Sequence, residues 1–213
     1  MCSLGTGWLQ MKGVVVEKGQ GKTRVYPFET KCDLRSHTQT INFAERALGT
    51  STPVMGVKGP SVLSLLPGFD IINGCIPDYI HCVLLGVARA CANLWFCGEN
   101  SGKPCVPVLK GTLPERFPVH WAKLMNGVVL LLSESITSEG ITKAEKLLNA
   151  FVQEVEGLYG VCNMTFNIHL CLHLAQSVKD WGPLWTHSAF AFENYNRDLL
   201  EMVKSTQGVT LQI

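Results

Sequence analysis

Three sets of residues have the types and spacing to do chemistry. Asp78 and His81 stand three apart in the run Pro77-Asp78-Tyr79-Ile80-His81. On a helix that spacing puts both side chains on one face. There a carboxylate can bind a hard divalent ion or orient the imidazole beside it. The plainer alternative is a helix-start aspartate favoured by the N-terminal dipole, with His81 merely packed. Spacing alone favours that alternative, because short D-x-x-H matches arise by chance. His169 and His173 are i,i+4 neighbours following Asn167, a spacing that can bind a transition metal. No Glu adjoins the first of them and no pattern supplies a third ligand, so a structural pair in the core is the simpler expectation. Glu193 follows aromatic residues in SAFAFENYN. A carboxylate in that setting meets a partner or has a raised pKa, and metal ligation, capping and a buried hydrogen bond all satisfy it.

Other chemical signatures are missing. GVKGPS at 56–61 lacks the spacing of a phosphate loop, and there is no nucleophile elbow or hydrolase triad signature. Eighteen Lys and Arg nearly cancel seventeen Asp and Glu, for a net charge of +1. A nucleic-acid partner therefore has no overall electrostatic case and needs a local patch. Lys12, Lys18, Lys22, Arg24, Lys31 and Arg35 form a modest basic cluster, which a solvated face also explains. The nine cysteines include no C-x-x-C pair and several lie in apolar runs. They read as reduced core residues of an intracellular protein, nuclear or cytoplasmic. Neither a signal peptide nor an apolar run of membrane-spanning length is expected.

The elements that must position these residues are mostly helical. Short strands are expected at 14–16 and 23–28 around KGQGK. A helix from His37 to Gly49 is expected, capped by Thr38 or Thr40 and ended by Gly49. A stronger helix spans 77–96, with Ile80, Val83, Leu84, Val87, Ala88, Cys91 and Leu94 as its apolar stripe. Residues 97–117, rich in Pro and Gly, read as a junction. Helices then follow at 118–135, 142–159 and 163–180, the second with Leu147, Leu148, Phe151, Val155 and Leu158 on one face. WGPLW at 181–185 breaks the pattern before a last helix over 188–204. The chain divides into an N-terminal strand and loop segment (1–36), a block carrying the 77–96 helix (37–96), the junction (97–117) and a helical C-terminal block (118–213).

Two of these stretches resemble a known family. PVMGVKGPSVLSLLPGFDIINGCIPDYIHCVLLGVARACANLWF at 53–96 is similar to a block of animal CACTA-type (En/Spm-like) DNA transposases close to GVKGPS-LLLLPGFD-GFPxDYMHCVLLGV. The stretch from Leu158 to Ile213 resembles the family's LYG-MTYNVHLLLHL-GPLW-SAFxFExxN ending, and GKTRVYPF at 21–28 resembles the region preceding both. The resemblance covers most of the chain and keeps its order.

The resemblance implies a mainly α chain: the helical insertion and C-terminal part of an RNase H-like (α/β) transposase domain, with a few short N-terminal strands. Such transposases use three acidic residues to hold two divalent ions, Mg²⁺ or Mn²⁺, for in-line phosphoryl displacement. By motif position Glu193 matches the third acidic residue and is the one candidate metal ligand. Asp78 and His81 match an accessory D-x-x-H signature. Against the family pattern, the two upstream aspartates and a Cys-x-x-Cys turn are missing from these 213 residues, and the insert at 97–117 is short. The expectation is a transposase-derived chain that is inactive alone and holds no cofactor of its own. Its expected partners are DNA, bound weakly and nonspecifically, or a full-length transposase. Loss of the parent sheet's strands would expose an apolar face and favour self-association. The competing expectation is a helical protein-interaction module or a degenerate copy, with a metal-binding structural protein on His169 and His173 as a third.

Overall fold

The computed structural model describes residues 13–29, 35–96 and 113–202. Residues 97–112 of the junction expected over 97–117, residues 203 and 204 of the last helix, and Lys12 and Lys31 of the basic cluster lie outside the described residues.

The β-branched run and the Gly-rich turn make a hairpin. Strand β1 (Val14–Lys18) pairs antiparallel with β2 (Gly21–Val25), in a register from Val14 opposite Val25 to Lys18 opposite Gly21. The two-residue turn needs a positive φ, which Gly19 supplies at +58°. The hairpin is tied to the helices behind it. Val25 is buried, and Tyr26 N–H donates to the Met164 carbonyl at 2.7 Å.

Helix α1 (His37–Thr50) begins one residue before the expected caps. Ser36 is the N-cap, in extended geometry, and it forms a reciprocal capping box with Gln39. Thr40 is inside the helix, where its hydroxyl donates to the Ser36 carbonyl. Gly49 does not end the helix; left-handed Ser51, at φ 52°, does. The loop after α1 holds one 3₁₀ turn (Val62–Leu65) and a small apolar contact of Ile71 with Ile72. The Ile71 N–H donates to His37 Nδ1 at 3.1 Å.

The 77–96 helix forms, but not as an even α-helix. Ile80–Ala88 is wound as a π-helix, and α2 (Arg89–Phe96) continues it. This winding corrects the expected stripe. Val83, Val87, Cys91 and Trp95 are buried at a four-residue interval, together with Cys82, whereas Leu84 and Leu94 are exposed. A wider turn keeps the four-residue steps of the expected stripe, Val83, Val87 and Cys91, and drops its three-residue ones.

Helices α3 (Arg116–Leu132) and α4 (Ser138–Tyr159) form an αα-hairpin through a five-residue loop. Their pairing is antiparallel: Phe117 meets Tyr159, His120 stacks on Phe151, and Gly127 lies against Leu148. Thr137 caps α4 by accepting from Gly140 N–H at 3.0 Å. Leu124, Leu131, Leu148, Phe151 and Leu174 are fully buried in one core shared with Val83 and Val87.

The single helix expected over 163–180 is broken. Helix α5 (Phe166–Leu170) tightens into a 3₁₀ turn (Cys171–His173) before α6 (Leu174–Trp181). Gly182, at φ 86°, ends α6, and a 3₁₀ turn (Leu184–His187) leads to α7 (Phe190–Met202). No residue of α7 is buried. Phe192 is 74% exposed and Leu200 72%. The described chain is thus mainly α with one two-stranded sheet. Among the described residues, no helix is long and apolar enough to cross a membrane.

Candidate functional site

Asp78 lies just ahead of the π-helix, and its carboxylate is the hub of the site. Oδ1 accepts the Ile80 N–H at 3.0 Å, closing the start of the helix. Oδ2 accepts from His81 Nδ1 at 2.7 Å and from the Ala189 N–H at 3.2 Å. The expected sharing of one face by Asp78 and His81 therefore holds as a direct contact. The other imidazole nitrogen, His81 Nε2, lies 2.9 Å from Glu193 Oε1. The structure thus brings together three of the five residues singled out from sequence, and the imidazole sits between the two carboxylates. Asp78 is the sheltered member, 16% exposed, while His81 and Glu193 are about half exposed.

The charges act mainly on His81. Its pKa is raised, chiefly by the hydrogen bond to Asp78, with the Glu193 charge adding to it against a smaller desolvation. His187, from the turn before α7, stands near Asp78 and went unremarked in the sequence. Burial lowers its pKa more than the Asp78 charge raises it. No motif spacing marks it; only the fold brings it there.

The local winding explains how the site is held. Gly86 lets α5 approach the π-helix, since a Cβ there would lie 2.4 Å from Asn167 Nδ2. The Asn167 carbonyl accepts from both the Cys82 and Cys171 thiols, at 3.3 and 3.5 Å. Asn167, noted in the sequence beside the histidines, therefore braces the helix that carries His81.

The residues present do not suit a pair of divalent ions. Both Asp78 oxygens already receive N–H donors, and Glu193 Oε1 faces an imidazole nitrogen. A hard cation of this class takes six or more oxygen ligands. Among the described residues, no group of three or more His, Cys, Asp or Glu is arranged to hold a metal.

His169 and His173 are elsewhere, in the core. Each is 3% exposed, and their Nε2 atoms face one another at 3.1 Å. One ring must donate and the other accept, so the pair shares one proton across that contact. Burial drives their pKa values down to about 4 and about 3, with His169 adding to the shift of His173. Tyr26 stacks on His169 with ring centroids 5.6 Å apart. His120 is a third buried histidine, one that the sequence did not mark. Its Nε2–H donates to the Phe151 carbonyl at 2.8 Å, leaving Nδ1 to accept from the Tyr159 hydroxyl at 3.3 Å. A cavity of about 870 Å³ opens between the start of α1, α4 and α6, lined in part by Arg35, Asp70, Glu145, His173 and Asp180.

Comparison of the chain with protein-family models, with curated proteins and with solved structures finds no match in any of the three.

Proposed function

We propose that the chain is a transposase-derived protein of the CACTA type, without strand-cleaving activity of its own, that retains contact with DNA or with a full-length transposase. One observation carries the reading. Asp78 and His81 belong to one stretch resembling the family and Glu193 to the other, and these stretches meet through His81. Chance matches in two separate segments give no reason for their polar residues to converge. On this reading the helices are the insertion and C-terminal part of an RNase H-like domain, and the setting is the nucleus. Glu193 supplies one of the three acids the family uses. One carboxylate alone supplies too few protein ligands to hold two divalent ions in place, and the commitments of the Asp78 oxygens argue against its replacing a missing partner.

The test is twofold. Binding of a fluorescent duplex is followed by anisotropy from low to physiological salt, and nicking of supercoiled DNA is followed with Mg²⁺ and with Mn²⁺. The reading expects binding that weakens steeply with salt and no nicking above buffer. Metal-dependent nicking that Glu193→Ala abolishes would overturn the claim of inactivity. Absence of DNA binding at low salt, with no association with a full-length transposase, would overturn the rest.

A second reading, a helical protein-interaction module, draws on α7. Its exposed Phe192, Tyr195, Leu200 and Met202 give it an apolar surface of the kind that marks interaction sites. Self-association is the simplest form of that reading, and sedimentation of the pure chain over a range of concentrations tests it.

A further inference from the structure

Three thiols, Cys82, Cys91 and Cys171, are buried in the one core. Two of them converge from opposite sides of the seam between the π-helix and the α5 segment. The Asn167 carbonyl accepts from the Cys82 thiol at 3.3 Å and from the Cys171 thiol at 3.5 Å. The two thiols are also in hydrogen-bond contact with each other. The backbones on either side are close for an independent reason. Gly86 admits Asn167 of α5 so tightly that a Cβ there would lie 2.4 Å from Asn167 Nδ2. A disulfide spans Cα atoms about 4.4–6.8 Å apart. Two side chains that reach one oxygen from closely packed helices suit that span.

We propose that Cys82 and Cys171 are a redox pair, which a peroxide oxidises to a disulfide that fastens the π-helix to α5. The chemistry balances in two steps. One sulfur attacks the O–O bond of the peroxide; that bond breaks, the thiol becomes a sulfenic acid and one water leaves. The second sulfur attacks the sulfenic sulfur; the S–S bond forms and the hydroxyl leaves as a second water. Hydrogen peroxide takes up the two electrons, and the two thiol protons end in the waters. A dithiol reductant restores both thiols by exchange.

The setting favours this outcome over further oxidation. The second thiol already lies against the first, so the sulfenic acid is captured where it forms. Burial excludes bulky reagents, whereas hydrogen peroxide is little larger than water. Cys91, the third buried thiol, is the competitor against which the pairing is tested.

The proposal concerns the core and does not depend on the transposase reading. The full chain, reduced and then freed of reductant, is treated with hydrogen peroxide under native conditions and digested without reduction. Mass spectrometry with fragment sequencing should find one dominant cross-link, joining Cys82 to Cys171, with the loss of two hydrogens and reversal by dithiothreitol. Cys91→Ser should still form it, and Cys82→Ser should not. Amide hydrogen exchange over 80–88 and 166–173 should slow about three- to ten-fold in the cross-linked chain, because the seam can no longer open. A dominant cross-link through any other cysteine would overturn the pairing. So would Cys82 and Cys171 left reduced once Cys75 and Cys162 are oxidised, sulfinic acid at either without a cross-link, or a bond that forms only in denaturant. Unchanged exchange in the cross-linked chain would overturn the claim that the bond fastens the seam.

Discussion

Ala189 and Asp78 are 111 positions apart in the chain, yet the Ala189 N–H donates to Asp78 Oδ2 at 3.2 Å. The same carboxylate receives the Ile80 N–H and the His81 imidazole. One side chain thus ties the start of the π-helix to the start of α7. Asp78→Ala leaves two backbone donors and the imidazole without their acceptor. A sheltered donor left unpaired costs about 1–3 kcal/mol, so urea denaturation should place the variant that far below wild type. Asp78→Asn keeps one acceptor oxygen and should fall between. Equal stability of Asp78→Ala and wild type would mean that water satisfies these donors and that the link is dispensable.

His169 and His173 respond to pH with the sign opposite to that of His81. Their folded pKa values, about 4 and about 3, lie below the ordinary value near 6.5. Between those limits the unfolded chain binds more protons than the folded one. The stability contribution is whole above about pH 6.5 and falls away as pH drops toward the folded values. Between pH 7 and pH 5 the loss should be on the order of 2 kcal/mol per histidine, measured by denaturant melts. Replacing both, His169→Phe with His173→Leu, should flatten most of that slope. His120 and His187, whose pKa values burial also lowers, leave a smaller slope of the same sign. An unchanged slope in the double variant would assign the acid sensitivity elsewhere.

How much of this was legible in the sequence depended on the range of the interaction. The hairpin followed from β-branched runs around a glycine turn, α3 from a strongly apolar run and α4 from apolar residues on one helical face, because those signals are local. The Asp78–His81 contact was within reach for the same reason, the two being three residues apart across the start of a helix. The N-cap was misplaced because Ser36, Thr38 and Thr40 are chemically alike. Only the extended backbone at Ser36 and the return bond from Gln39 decide among them. The π winding left no local mark. It goes with the close approach of Asn167 to Gly86, 81 positions away, and shifts the buried positions from Leu84 and Leu94 to Cys82 and Trp95. His187 and His120 could not be singled out for the same reason. Their partners, Asp78, Phe151 and Tyr159, are 31 or more positions distant.

The thiols should divide by depth. Cys82, Cys91 and Cys171 are buried, while Cys75 and Cys162 are partly exposed. The thiolate is the reactive form; burial pushes the Cys91 pKa up to about 12, and the contact with Cys82, together with burial, raises that of Cys171. Maleimide labelling of the native chain, read by peptide mass spectrometry, should, among the cysteines of the described residues, modify Cys75 and Cys162 first. Cys82, Cys91 and Cys171 should follow only in denaturant. Early labelling of Cys171 would show that the seam between the π-helix and α5 opens readily.

Two glycines on helices predict opposite outcomes for the same substitution. At Gly86 an added Cβ would lie 2.4 Å from Asn167 Nδ2, 2.7 Å from its Cγ and 2.9 Å from the His81 carbonyl. The carbonyl is backbone and cannot swing away, so the π-helix or α5 must shift. Such overpacking costs about 1–3 kcal/mol, and at about 2–4 °C per kcal/mol for a chain of this size the melting temperature should fall visibly. At Gly49, in the last turn of α1, nothing lies within 4 Å of the added carbon. There alanine only removes glycine's backbone freedom and should stabilise by about 0.5–1 kcal/mol. Because Gly86 lies against the His81 carbonyl, Gly86→Ala should also move the NMR titration of His81, whereas Gly49→Ala should leave it in place. If Gly86→Ala matched wild type in both melting temperature and His81 titration, the close packing of Asn167 would have no part in holding the π-helix.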